Sequence, residues 1–111
     1  MRIETTQHGR VIVIKPLGML AGADAKELLS QIGKHVEAGR MDVVLDCSGI
    51  VFVDSSGLEA LADGAEALIR GGKALKLAGE NAKLREILDL TELSPLFEAH
   101  GDVLEAVESC R

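Results

Sequence analysis

The sequence predicts a single α/β domain with a mixed central β-sheet, an N-terminal hairpin and about four helices. Three observations carry that prediction. Two short β-branched runs near the start are joined around His8-Gly9, apolar residues recur at helical spacing from Ala23 onward, and Val43-Val44-Leu45 is a continuous apolar stretch closed by Asp46. A tight hairpin gives antiparallel pairing, whereas alternating helix and strand units give parallel crossovers, so the sheet is mixed. With 111 residues the chain has the size of one compact domain, 1–111.

Ile3 to Thr6 and Val11 to Lys15 read as the two strands of the hairpin, and Pro16 and Gly18 break the second. Leu28, Leu29, Ile32 and Val36 then share one helical face, with Lys26, Glu27, Gln31 and Lys34 turned away. Asp24 followed by Glu27 has capping-box spacing, and Gly39 is placed to stop the helix. Met41-Asp42 leads into Val43 to Asp46, a run that suits a central strand buried on both faces. A turn at Ser48-Gly49 and an apolar segment, Ile50 to Val53, precede a second helix starting near Ser55. Its apolar set is Leu58, Leu61, Ala62, Ala65, Leu68 and Ile69, opposite an acidic stripe of Glu59, Asp63 and Glu66. Gly71-Gly72 ends it, and Lys73 to Ala78 reads as a further strand. Asn81 caps a third helix carrying Leu84, Ile87, Leu88 and Leu90. After Ser94-Pro95 comes a weak strand at Leu96-Phe97, and Asp102 starts a last helix with Val103, Leu104 and Val107 inward.

Composition narrows the function. The chain is 47% apolar and only 2% aromatic, without Trp or Tyr, which argues against stacking platforms for bases. Eighteen acidic against twelve basic residues give a net charge of −6, which repels nucleic acid and anionic lipid and suits a basic protein partner. No apolar run approaches the roughly 18 residues that span a bilayer, and Met1-Arg2-Ile3-Glu4 is no signal peptide, so no membrane insertion and a cytoplasmic location are expected. Cys47 and Cys110 have no CxxC spacing and read as free thiols of a reducing compartment.

Catalytic and metal motifs are absent. Asp54-Ser55-Ser56-Gly57 is not a nucleophile elbow, because no Gly stands two residues before either serine. His8, His35 and His100 are scattered and carry no general-base context, and Gly71-Gly72-Lys73 runs from helix to strand, the reverse of a phosphate-binding loop. Asp46 ends a central strand, where a phospho-acceptor aspartate could sit, but the first strand offers no acidic pair to hold a divalent cation. Asp46 therefore reads as the residue that fixes the following turn. Ser55 and Ser56 keep two readings: they cap the helix, or they accept a phosphoryl group at a helix start whose dipole tolerates the added charge. Asp54 can cap equally well, which leaves the hydroxyls partly redundant for stability.

Val43-Val44-Leu45-Asp46, and then Phe52-Val53-Asp54-Ser55-Ser56-Gly57-Leu58 after the turn, resemble the STAS family, the anti-sigma factor antagonists of bacteria. Leu17-Gly18-Met19-Leu20 and Leu77-Ala78-Gly79 with Leu84, Ile87 and Leu88 extend the resemblance over nearly the whole chain. It implies a non-enzymatic module that needs no cofactor, regulates sigma-factor-dependent transcription, and binds an anti-sigma factor that is also a serine kinase. That kinase supplies the ATP, phosphorylates Ser55 and thereby breaks the complex, and a phosphatase restores it. Asp54, Ser56, Gly57, Glu59 and Asp63 are the expected partner-binding residues around Ser55. One position departs: the family commonly has an Asp after Gly-x-Leu, where this chain has Ala21, unless Asp24 substitutes. The alternative is a constitutive STAS subunit of a stress-signalling or lipid-transport assembly, with no phosphorylation switch.

Overall fold

The computed structural model describes residues 1–39 and 42–110; Met41, the expected lead-in to the third strand, lies outside them. Strands β1 (Arg2–His8) and β2 (Val11–Leu20) pair antiparallel from Arg2↔Leu17 to His8↔Val11, as the hairpin reading requires. Helix α1 (Gly22–Ala38) follows, then β3 (Asp42–Asp46), a single 3-10 turn (Cys47–Gly49), β4 (Ile50–Val53) and helix α2 (Ser55–Arg70). The chain closes with β5 (Leu75–Ala78), α3 (Ala82–Leu90), a second 3-10 turn (Ser94–Leu96), β6 (Phe97–His100) and α4 (Val103–Glu108). The sheet runs β1-β2-β3-β5-β6, with β4 paired to the far end of β2, and every pairing except β1–β2 is parallel.

Alternation along the central strands divides the core. Ile12, Ile14, Val43, Leu45, Leu75 and Leu77 face α1, α2 and α3, whereas Val11, Val13, Val44 and Ala78 face Ala106 and Val107 of α4. β3 is thus buried on both faces, as its continuous apolar run predicts.

Several boundaries differ from the sequence reading. β2 does not break at Pro16 and Gly18 but continues to Leu20. Its ladder to β3 ends at Ile14 and its ladder to β4 begins at Gly18, so on that side Pro16 sits in a gap and its missing N–H costs no ladder bond. Ile50–Val53 is a true strand, added to the end of β2 beyond the reach of β3. The capping box on α1 does not form. Ala21 is the N-cap without a side-chain bond, and the Asp24 carboxylate instead accepts from the Met1 ammonium at 3.0 Å. Gly39 does stop α1, with φ 70° and its N–H on the His35 and Val36 carbonyls. β5 starts at Leu75 rather than Lys73, because the Lys73 N–H still closes the end of α2 on the Leu68 carbonyl.

Three leucine and isoleucine placements also shift. α2 buries Gly57, Ala60, Leu61, Gly64, Ala65 and Leu68, leaving Ile69 47% exposed. The small residues let α1 approach closely: a Cβ on Gly64 would stand 3.1 Å from Ile32 Cδ1. On α4 the inward set is Val103, Ala106 and Val107, continued by Cys110 just past its end, so Leu104 falls outside this stripe and is exposed. Leu90 is exposed for the same reason, one step off the Leu84–Leu88 face of α3.

Candidate functional site

The first turn of α2 is set by Asp54. Its backbone is extended (φ −98°, ψ −173°), its N–H donates to the Leu20 carbonyl, and its carboxylate accepts from the Gly57 N–H at 2.8 Å. One orphan donor at the helix start is thereby satisfied. Neither Ser55 nor Ser56 makes a side-chain hydrogen bond among the described residues, so the side-chain cap of α2 is Asp54.

Gly57 is buried against the end of β2. A Cβ there would lie 2.2 Å from the Leu20 carbonyl oxygen and 2.8 Å from Val53 Cγ1, so only glycine lets the first turn sit down on the strand. This contact, with the Asp54–Leu20 hydrogen bond, fixes where Ser55 emerges: the first residue of α2, exposed.

Ser56 is half-buried and lines a shallow groove of about 200 Å³ between α1 and α2, together with Lys26, Leu29, Glu59, Ala60 and Asp63. The fold therefore brings Ser56, Glu59 and Asp63 into one groove, with Ser55 at the start of the same helix. Lys26, read from the sequence only as a solvent-facing residue of α1, joins them there. Ala21 presents no carboxylate, and Asp24 does not stand in for one, being engaged by Met1.

At the paired ends of β2 and β4, just before this turn in the chain, lie three apolar residues whose exposure the sequence does not announce. Met19 and Phe52 are cross-strand partners and are 60% and 54% exposed, and Val51 is 77% exposed. Nothing in Ile50-Val51-Phe52-Val53 marks its two middle side chains as exposed; the β2–β4 register is irregular at the same point, passing from Gly18↔Ile50 to Met19↔Phe52 and skipping Val51.

Groups elsewhere do not converge on this turn. The Asp46 carboxylate accepts from Ser48 N–H at 3.0 Å and Ser48 Oγ–H at 2.7 Å, the turn-fixing role expected of it. Burial, reinforced by Glu80 and Asp46, pushes the Cys47 thiol up to about 12, so it stays protonated. His100 lies by Glu98 and Glu105 near α4, His8 by Thr6 at the hairpin end, and His35 on α1. No group of three or more His, Cys, Asp or Glu among the described residues could hold a metal ion. No helix of the structure is long and apolar enough to cross a membrane.

The model of the STAS domain family matches residues 2–107. No curated protein matches the chain by sequence. Among solved structures, the phosphorylated form of SpoIIAA, the Bacillus cell fate determinant, superposes with a TM-score of 0.79 at 18% identity, covering 99% of this chain and 100% of that one. An anti-sigma factor antagonist from Mycobacterium paratuberculosis gives 0.85 at 24% identity, over 97% of this chain and 92% of that one. The murine anion transporter Slc26a9 gives 0.77 at 21% identity over 92% of this chain, which corresponds to 18% of the transporter. At these identities the similarity shows a shared fold.

Proposed function

The chain belongs to the STAS domain family, and we propose that it acts as an anti-sigma factor antagonist switched by phosphorylation of Ser55. The observation that carries this reading is the division of labour at the start of α2: Asp54 caps the helix, and the exposed Ser55 hydroxyl is left with no structural task. A kinase can modify it without uncapping the fold.

In this reading the partner is an anti-sigma factor with serine kinase activity, which holds the ATP. Ser55 Oγ attacks the γ-phosphorus, its proton is lost, and the bond to the bridging oxygen of ADP breaks. The product carries about −1.5 to −2 charges more than serine at neutral pH. That charge meets the positive end of the α2 dipole, so the helix persists, while the carboxylates of Asp54 and Glu59 nearby make the docking surface sharply more negative. A partner matched to the neutral hydroxyl is repelled, and hydrolysis by a phosphatase restores binding. Ser56, Glu59 and Asp63 form the groove side of the docking surface, Asp54 holds the turn, and Gly57 seats it. The chain itself does no chemistry and needs no cofactor, and the setting is the bacterial cytoplasm.

Incubation with an anti-sigma serine kinase and Mg-ATP, followed by peptide mapping, tests the assignment. One phosphate on Ser55, abolished by Ser55→Ala, is expected; a phosphate on Ser56, or none, refutes it. Ala21 favours a second reading, a constitutive STAS subunit, because no carboxylate stands there at the N-cap of α1. That reading expects Ser55→Asp to leave partner affinity intact.

A further inference from the structure

We infer that the exposed apolar patch of Met19, Val51 and Phe52, with the groove beside it, is a second contact surface for the same anti-sigma kinase. It receives an apolar side chain flanked by an acidic one. The inference rests on the reading of Ser55 as the partner-facing residue. Three side chains on the ends of β2 and β4 are more than half exposed in a chain whose other strand residues of this type are mostly buried. Beside them a groove of about 110 Å³ runs between β4 and α3, walled by Val51, Phe52, Leu84 and Ile87. That volume suits one aliphatic side chain of a partner.

Distance ties the patch to Ser55. Phe52 is three residues from Ser55, so their Cα atoms are at most ~11 Å apart even if fully extended, and Val51 is at most ~14 Å away. A standard protein interface buries roughly 800 Å² on each partner, a disc about 16 Å in radius. An interface of ordinary size centred on Ser55 is wide enough to reach the exposed Phe52 and Val51, which would supply the apolar centre such interfaces have.

Charge selects the occupant. Lys83 stands at the groove and makes no ion pair among the described residues, in a chain of net charge −6. An acidic side chain next to the inserted apolar one satisfies it. A second copy of this chain is a poorer fit because of its own net negative charge, and an anionic lipid surface is repelled by it.

The test is titration calorimetry and kinetics with the purified anti-sigma serine kinases of the same genome, taken one by one, against wild type, Phe52→Ser, Val51→Thr, Lys83→Glu, Lys83→Arg and Ser55→Asp. Circular dichroism first checks each variant for folding; Val51→Thr and Lys83→Glu change exposed side chains only and keep the test open if Phe52→Ser does not fold. Expected are a loss of about 30-fold for Phe52→Ser, as for an aromatic anchor, and a smaller loss for Val51→Thr. Lys83→Glu is expected to lose about 5-fold, mainly in association rate, with Lys83→Arg near wild type. Wild-type affinity in the patch variants, alongside lost binding in Ser55→Asp, overturns the second surface and leaves the switch standing. No binding of wild type to any kinase overturns both. Phe52→Ser acting only on self-association, or only on retention by anionic vesicles, assigns the patch to another occupant and overturns the inference.

Discussion

Replacing Asp54 by alanine removes the one side-chain hydrogen bond that, among the described residues, satisfies the first turn of α2, the 2.8 Å contact from the Gly57 N–H. Loss of an aspartate N-cap costs about 0.5–2 kcal/mol, and the carboxylate adds about 0.3–1 kcal/mol through the helix dipole. Asp54 is half-buried and Gly57 is buried, so the freed N–H is poorly placed for water and the upper half of that range applies. About 1.5–2 kcal/mol is expected, which lowers Tm by about 6–10 °C in a domain of this size. Ser55→Ala and Ser56→Ala remove hydroxyls that bond nothing here and gain in helix propensity, so each stays within about 0.5 kcal/mol of wild type. Urea unfolding of the three variants at neutral pH, with a common m-value, gives the comparison. If either serine variant loses as much as Asp54→Ala, or Asp54→Ala loses nothing, the hydroxyls carry the cap and the argument that Ser55 is free for modification fails.

Other perturbations follow from neighbouring contacts. Gly57→Ala places a Cβ 2.2 Å from a backbone oxygen, and the forced shift of the first turn outweighs a helix-propensity gain of about 1 kcal/mol; thermal unfolding should show net destabilisation, and a neutral result contradicts the close packing of α2 on β2. Glu98 is held below the usual carboxylate range, first by the hydrogen bond from Lys76 and then by that from His100. A depressed folded value means its stabilisation is present above the ordinary carboxylate range and is lost as pH falls through the folded one, so Glu98→Gln should flatten the acid limb of the stability profile. Unchanged acid sensitivity in that variant removes Glu98 from the account. The Cys47 thiol, pushed up to about 12 chiefly by burial, should resist alkylation at pH 8 in the native protein and react on unfolding in urea; rapid native labelling, mapped by mass spectrometry, contradicts its burial.

How far the fold was legible depended on whether a signal was local. The hairpin, the two-faced strand at Val43-Val44-Leu45, the Gly39 stop and the Asn81 and Asp102 caps are short-range patterns, and each appears where expected. β4 was only an apolar segment in sequence, because its partner is the far end of β2, beyond a proline and glycine that locally argue against any strand. The helical faces shifted for a related reason: Gly57 and Gly64 count as apolar blanks in a periodicity, yet they are where β2 and α1 come closest. At the site, Asp54 and the two serines were visible, but which of three adjacent side chains caps the helix depends on a single hydrogen bond. Phe52 and Val51 carry no sequence mark of exposure, since Ile-Val-Phe-Val reads as core, and the irregular pairing with β2 at that point depends on residues distant in the chain.

The most direct test of the switch is to incorporate phosphoserine site-specifically at position 55 or at position 56 and measure binding of each form to the anti-sigma kinase. Phosphate at 55 is predicted to weaken binding by about 100-fold or more with native circular dichroism retained, the scale of losing a charged or hot-spot contact at an interface. Equal affinity of the Ser55-modified and unmodified proteins, or a loss confined to modification at Ser56, would contradict it.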